Sequence, residues 1–124
     1  MHMFFFLGGK RYSIILFYLS GSSNVTTFIQ SIEKIIKDPR QPKDTFVIIG
    51  DANIDLTIPD NENKTTRYIQ SLIDLNMKQL ITKPTTINNS IIDHIWVSNK
   101  NIDHFQDVRN TYYSYHMPLL LDIY

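Results

Sequence analysis

Two apolar runs open the chain, and a Gly-Gly turn separates them. Residues 3–7 and 13–19 are almost entirely apolar, and Gly8–Gly9 lies between them. Because glycine adopts positive φ without a steric penalty, this pattern predicts a β-hairpin. The first run is too short for the core of a signal peptide, and the second is too short for a membrane span. We therefore interpret both runs as strands and expect no membrane partner.

The following stretch changes to helical periodicity. Between residues 25 and 37 the apolar side chains recur at helical spacing, Ser23 or Asn24 can serve as the N-cap, and a proline follows the last turn. A second helix is predicted at residues 65–75, with Asn76 as a plausible C-cap.

Short apolar runs bounded by polar loops predict the remaining strands. They cover residues 45–50, 78–82, 91–98, a stretch that begins at 104, and 117–124. The order β-β-α-β-α-β-β-β-β indicates an α+β (α/β layered) domain. The length of 124 residues fits one domain, spanning the whole chain.

Composition excludes several kinds of site. The chain has no cysteine, so disulfides and Cys-ligated zinc or iron–sulfur centres are excluded, which agrees with an intracellular protein. Twelve basic residues balance twelve acidic ones, so net charge gives no argument for nucleic acid, although it does not exclude DNA. The sequence carries no localisation signal.

Candidate chemistry follows the predicted strand at residues 45–50. Asp51 and Asn53 are two positions apart, so both side chains would point the same way if the chain stayed extended. An Asp can orient and deprotonate a water, and an Asn amide can donate to a phosphate oxygen. The alternative is that Gly-Asp after an apolar strand is turn chemistry.

A second group of candidates lies in and after the predicted strand at residues 91–98. Asp93 and His94 would face opposite sides of a regular strand, so His116 is the better partner for Asp93. A cap or loop salt bridge is the alternative role for Asp93. His94 is expected to be a half-exposed sheet residue rather than a catalytic one.

These pieces together resemble a known family. "VIIGDANID" is similar to the Gly-Asp-x-Asn motif of the endonuclease/exonuclease/phosphatase superfamily, which includes AP endonucleases, DNase I-like nucleases and LINE-type retrotransposon endonucleases. "LITKPTTINNSIIDHIWVS" resembles the Pro-Thr…Ile-Asp-His-Ile segment of retroelement endonucleases, "YYSYHMPLLLDI" the closing Ser-Asp-His-x-Pro motif, and "SIILFYLSGSSN" the strand with an active-site Tyr. The order of the four motifs makes the resemblance specific. A small phosphate-binding module unrelated to nucleases would require that order to be coincidence.

The resemblance implies metal-assisted hydrolysis of DNA phosphodiester bonds with Mg²⁺ or Mn²⁺. By the same resemblance, Asp51 activates the attacking water, and Asn53 supports Asp51 and contacts the phosphate or its metal. His116 binds and neutralises the phosphate, Asp93 holds the His116 ring, and Tyr18 hydrogen-bonds the phosphate. Asp51 and Asn53 are the expected metal ligands, and they would form a weak site. A retroelement role would place the protein in the nucleus.

The sequence also departs from the family pattern. Tyr115 stands where the family has Asp, and it could block the cleft; Ala52 replaces a Phe. The family fold is a four-layer αββα sandwich whose amino-terminal half supplies an early Asn and a metal-binding Glu, whereas the first Glu here is Glu33, in a predicted helix.

We therefore expect the carboxy-terminal half of that fold, with one mixed β-sheet and two covering helices. The other face of this sheet would be apolar and exposed, so it would pair with a missing amino-terminal half or with a second copy. The expected function is a retrotransposon-derived endonuclease-like phosphodiesterase, impaired by truncation and by Tyr115. The alternative is a non-catalytic remnant or a partner-dependent half-domain.

Overall fold

The computed structural model describes residues 1–40, 45–58, 63–98, 104–109, 115–117 and 119–123. The order of elements is the predicted one, and the helices are α1 (Val25–Ile36) and α2 (Asn63–Asp74). The strands are β1 (His2–Leu7), β2 (Lys10–Tyr18), β3 (Thr45–Asp51), β4 (Met77–Gln79), β5 (Asp93–Ser98), β6 (His104–Val108) and β7 (Leu119–Ile123). The polar stretches predicted as loops between α1 and β3 and between β3 and α2 lie partly outside the described residues.

Five strands form one mixed sheet in the order β1-β2-β3-β5-β4. Strands β2 and β3 pair in parallel through the α1 crossover, and every other pair in this sheet is antiparallel. The turn between β1 and β2 uses the two predicted glycines, Gly8 and Gly9, at φ values of 57° and 76°. The mixed sheet with two helices and the α+β class are therefore confirmed.

The last two strands do not join this sheet. Strands β6 and β7 pair antiparallel with each other as a separate two-stranded ribbon. The predicted mixed sheet therefore contains β1 to β5, and the ribbon is an addition to it. The reason lies in the packing, because apolar side chains of the ribbon lie against the sheet face instead of extending its edge; these are Val108, Leu119 and Leu121.

Helices α1 and α2 cover one face of the five-stranded sheet. Asn24 is the N-cap of α1, and its side chain accepts from the backbone N–H groups of Thr26 and Thr27. The core on this face contains side chains from the sheet and both helices, including Ile15, Ile48, Trp96, Ile29, Ile32 and Leu72. Burial of each large apolar side chain of this kind contributes roughly 1.5–3 kcal/mol.

The opposite face is also apolar. It was expected to be exposed, but the ribbon covers part of it. The ribbon packs over a second cluster that contains the buried Val47 and Ile95. A cavity of about 370 Å³ remains between sheet and ribbon, lined by Phe5, Ile14, Val47, Ile49, Ile95, Leu119 and Leu121. Toward β1 this face opens to solvent at Met3 and Leu16, which are 44% and 39% exposed. Among the described helices, neither is long and apolar enough to cross a membrane.

Candidate active site

Three side chains meet where β3 ends and β5 begins. Asp51 is the last residue of β3 and Asp93 the first of β5, and the two are direct cross-strand partners. His116 lies shortly before β7 and reaches both carboxylates. Its Nδ1 lies 2.8 Å from Asp93 Oδ2, and its Nε2 lies 3.5 Å from Asp51 Oδ2. The structure thus brings together three of the residues that the sequence analysis singled out.

The contact with Asp93 determines the tautomer of His116 and favours its protonation. Because an ionised carboxylate only accepts hydrogen bonds, Nδ1 carries a proton and donates it to Asp93. This hydrogen bond is the largest cause that raises the pKa of His116, and the charges of Asp93 and Asp51 act in the same direction against a smaller effect of burial. His116 therefore favours the imidazolium form beside the two carboxylates.

Asp51 is held in an environment that makes it a better base. Partial burial is the largest cause that raises the pKa of Asp51, and the negative charge of Asp93 adds to it. The backbone hydrogen bond from Asn53 and the charge of His116 oppose this shift. A carboxylate with a raised pKa accepts a proton more readily near neutral pH, which suits it to activate a water.

The turn after β3 fixes the position of the Asp51 carboxylate. The backbone N–H of Asn53 donates to Asp51 Oδ1 at 2.9 Å, and the backbone N–H of Leu19 donates to the Asp51 carbonyl at 2.8 Å. The residue before Asp51 must be Gly50, because a Cβ there would come within 2.0 Å of the Phe17 carbonyl oxygen. The Gly50–Asp51 pair therefore has two roles: it shapes the turn after β3, and it positions the Asp51 carboxylate.

Asn53 and Tyr18, the other two predicted site residues, lie beside this cluster. Asn53 has a φ of 50°, and its side-chain Nδ2 donates to the Leu19 carbonyl. The side chains of Asp51 and Asn53 would point the same way only in an extended chain. The chain turns after Asp51, so this alignment is not expected. Tyr18 ends β2 in register with Asp51 and is 70% exposed. The register places its side chain on the Asp51 face of the sheet, open to solvent.

His94 was expected to be half-exposed, and this expectation was wrong. Its side chain is fully buried, with Nε2 donating to the Ile91 carbonyl at 3.0 Å and Nδ1 accepting from the Tyr68 hydroxyl at 2.8 Å. The Tyr68 hydroxyl in turn accepts from Trp96 Nε1 at 3.0 Å. The reason is that α2 places Tyr68 directly over this part of β5. Burial lowers the pKa of His94, so it remains neutral and structural.

Sequence reasoning missed three buried residues that bond to β5 or to the loop before it. In the sequence, Tyr68 could be recognised only as an aromatic residue on the apolar face of α2. Thr85 and Thr86 are also fully buried, and the Pro-Thr motif is the sequence feature that could have identified them.

Tyr115 does not occupy the space between the carboxylates. Its hydroxyl accepts a hydrogen bond from Asn88 Nδ2 at 3.2 Å, and its ring meets the His116 ring edge-to-face, with 5.4 Å between centroids. A cavity of about 310 Å³ adjoins the carboxylates and is lined by Ile49, Gly50, Asp51, Asp93, Met117 and Leu119. Within the part of the chain that the structure describes, Tyr115 is not among the lining residues, so the expectation that it could block the cleft does not match its orientation.

The cluster has the chemistry of a divalent-cation site. One ligand atom from each of Asp51, Asp93 and His116 lies within 4.8 Å of the others. Carboxylate oxygens are the protein ligands that Mg²⁺ and Mn²⁺ prefer, so the two aspartates fit such an ion. His116 donates through Nδ1 to Asp93, and its Nε2 faces Asp51 Oδ2 at 3.5 Å. The Asn53 amide nitrogen donates to the Leu19 carbonyl, and Asn53 as a weak metal ligand stays a prediction.

Comparison with known proteins gives two findings. A family model described as "Endonuclease-reverse transcriptase" matches residues 12–120. Among solved structures, the endonuclease domain of TRAS1, a telomere-specific non-LTR retrotransposon, superposes with a TM-score of 0.79 at 16% identity, over 98% of this chain and 60% of that domain. This likeness shows a shared fold, and the chain spans less than two thirds of the neighbour's length. A search of curated proteins found no match. Because the family model covers most of the sequence, including every residue of the cluster, the chain belongs to the endonuclease-reverse transcriptase family.

Proposed function

We propose that the chain is a retrotransposon endonuclease-type domain that hydrolyses DNA phosphodiester bonds with a divalent cation. The observation that carries this proposal is the meeting of Asp51, Asp93 and His116 beside an open cavity. In this proposal Asp51 orients a water and takes its proton. His116, held as imidazolium by Asp93, binds a non-bridging phosphate oxygen where negative charge develops.

Charge balance supports the requirement for a cation. Two carboxylates and one imidazolium give the cluster a net negative charge, which repels a phosphate. Asp51 and Asp93 would hold a divalent ion, which would reverse the sign of the site and supply Lewis-acid charge stabilisation. The donor atoms support Mg²⁺ or Mn²⁺ as the ion.

Tyr18 and Asn53 have supporting roles in the proposal. The Tyr18 hydroxyl is exposed on the Asp51 face of the sheet, where it donates to a phosphate oxygen. Asn53 acts through its backbone N–H, which fixes the Asp51 carboxylate, as well as through its amide, which ties the turn to β2.

The proposed activity is low in this chain. Tyr115 contributes no carboxylate at a position where the resembled family carries one. Fewer anionic ligands weaken cation binding, and electrostatic stabilisation is commonly the largest catalytic contribution. We propose that residues 1–124 correspond to the carboxy-terminal part of the family fold; they cover 60% of the neighbour's length.

A second candidate is a partner-dependent half-domain without activity of its own. The observation that favours it is the apolar face beside β1, where Met3 and Leu16 are exposed next to the 370 Å³ cavity. A second apolar sheet would cover this face, supplied by a preceding segment or by another copy of the chain.

Plasmid nicking in Mg²⁺ or Mn²⁺ tests these proposals, on monodisperse protein and with an EDTA control. Three proteins are compared, namely the natural chain, Tyr115→Asp, and Tyr115→Asp combined with His116→Ala. Nicking by the natural chain that is lost with His116 supports an intact catalytic site. Nicking only after Tyr115→Asp supports impairment by the tyrosine. If folded protein of all three kinds leaves the plasmid intact, the partner-dependent reading replaces the enzymatic one.

A further inference from the structure

The Pro-Thr motif has no role in the chemistry described so far, yet its threonine occupies a central position. Thr85 lies between β4 and β5 and is fully buried. A buried hydroxyl requires hydrogen-bond partners, because an unpaired one loses its hydration without compensation. The partners of Thr85 lead to both members of the Asp93–His116 pair.

The side chain of Thr85 holds the start of β5. Its Oγ1 accepts hydrogen bonds from the backbone N–H groups of Ile92 and Asp93, each at 3.2 Å. The same hydroxyl lies 3.5 Å from the Ser90 carbonyl, to which it donates, and the Thr85 backbone N–H donates to that carbonyl at 2.8 Å. The hydroxyl therefore fixes the backbone of Asp93 directly.

The main chain of Thr85 holds the segment that carries His116. The Thr85 carbonyl accepts from the backbone N–H of Met117 at 2.8 Å. The adjacent Thr86 forms an isolated antiparallel bridge with His116, and the Ile87 N–H donates to the Tyr115 carbonyl at 3.1 Å. Two segments far apart in sequence thus meet on one residue.

We propose that Thr85 is a positioning residue that sets the distance between the Asp93 carboxylate and the His116 ring. The proposal rests on the proposed function, in which Asp93 orients His116 toward a phosphate. A hydrogen bond of 2.8 Å between two side chains tolerates little displacement of either backbone. Because Thr85 bonds one backbone through its side chain and the other through its carbonyl, a shift at Thr85 changes the relative position of the pair.

Thr86, the next residue in the chain, provides a matched control for the substitution of Thr85. It is the same residue type and is equally buried. Its hydroxyl bonds the Ser90 hydroxyl and accepts from the Ser90 N–H, so both contacts stay within the loop. Thr86→Val therefore removes a buried hydroxyl of the loop without touching the backbone of Asp93, whereas Thr85→Val is an isosteric change that removes the acceptor of the Asp93 N–H.

The experiment compares the natural chain with Thr85→Val, Thr85→Ser and Thr86→Val. The first measurement is NMR at one fixed pH, recording the backbone amide of Asp93 and the ring nitrogens of His116. We expect Thr85→Val to shift the Asp93 amide and to weaken the signature of the Nδ1–H bond to Asp93. Thr85→Ser keeps the hydroxyl and should retain both signals, and Thr86→Val should leave both close to those of the natural chain. Urea unfolding of all four proteins is measured in parallel. It shows whether Thr85→Val and Thr86→Val lose the same stability, so that a local effect at the pair can be told from general destabilisation.

The second measurement is nicking with Mn²⁺, analysed as kcat and KM. We expect Thr85→Val to lower kcat by about 10–100-fold, the range for residues that hold metal-ligating side chains in place. KM should change less, and Thr85→Ser should restore kcat. Retention of the Asp93 and His116 signals in Thr85→Val, or equal changes in Thr85→Val and Thr86→Val, would overturn the proposal. If the natural chain does not nick DNA, the proposed function fails, and the NMR comparison still decides whether Thr85 positions the pair.

Discussion

His116 Nδ1 lies 2.8 Å from Asp93 Oδ2, although the two residues belong to different layers of the structure. Asp93 begins β5 of the five-stranded sheet, and His116 lies in the segment that leads into β7 of the ribbon. The carboxylate fixes the tautomer of the ring and raises its pKa, while Asp51 faces the other ring nitrogen. This pair is the feature on which most of the testable consequences depend.

Asp93→Asn should lower the pKa of His116, because the largest cause of its raised value is the hydrogen bond to the carboxylate. In the proposed function, loss of the oriented imidazolium lowers the nicking rate by about 10²–10⁴-fold, the range of acid–base contributions. An NMR titration of His116 measures the pKa, and plasmid nicking measures the rate. Asp74→Asn is the control, since Asp74 is exposed and accepts from Gln70 on the helix surface. An unchanged His116 titration in Asp93→Asn would contradict the assignment of the pair.

Stability should depend on pH through His116. Its pKa is raised in the folded state, so its contribution is fully present below the ordinary imidazole value of about 6.5. That contribution is lost as the pH rises through the raised folded value. The difference in urea midpoint between the natural chain and His116→Gln should therefore shrink from pH 6 to pH 8. His94 acts in the opposite sense, because its lowered pKa removes stability as the pH falls, and the paired comparison cancels its effect. A difference that stays constant over this range would count against the ion pair.

Tyr68→Phe should destabilise the fold by about 1–3 kcal/mol, the cost of leaving buried polar groups unpaired. The substitution removes the hydroxyl that donates to His94 Nδ1 and accepts from Trp96 Nε1. Chemical denaturation monitored by Trp96 fluorescence measures the change. Tyr18→Phe is the matched substitution at an exposed tyrosine, and it should change the stability by less than about 0.5 kcal/mol. Equal effects of the two substitutions would show that the buried network adds nothing.

Gly50→Ala should cost about 1–3 kcal/mol or more of folding free energy, because its Cβ would collide with the Phe17 backbone and either β2 or β3 must move. Gly21→Ala is the control, since a Cβ at Gly21 meets no atom within 4 Å. Thermal unfolding distinguishes the two. If Gly50→Ala were as stable as Gly21→Ala, β2 and β3 would accommodate the added Cβ without loss of folding free energy, and the predicted collision would be refuted.

The order of elements could be predicted from the sequence because it depends on local periodicity. His116, 23 positions from Asp93, was singled out as its partner only after His94 had been excluded. Alternation along β5 puts Asp93 and His94 on opposite faces, which excludes His94 as a partner from the sequence alone. The burial of His94 could not be predicted in the same way, since it depends on Tyr68, which is 26 positions away on another element.

Tertiary packing also determines features that the sequence pattern does not specify. Whether β6 and β7 extend the sheet or lie across it depends on apolar contacts such as Leu121 with the sheet face, and no local pattern distinguishes the two arrangements. The positive φ of Asn53 is likewise a property of the folded turn, although Asn is among the residues that accept it readily.

The ribbon of β6 and β7 rests on the sheet through a few apolar side chains above a cavity, and His116 lies next to it in the chain. Docking of the ribbon therefore acts together with the backbone bonds from residues 85–87 to hold His116 beside the carboxylates. Mild heating that detaches the ribbon would loosen His116 while the five-stranded sheet stays folded. Activity at this site would then be lost at a lower temperature than secondary structure. The state of the His116 ring would show whether the ribbon is docked on the sheet.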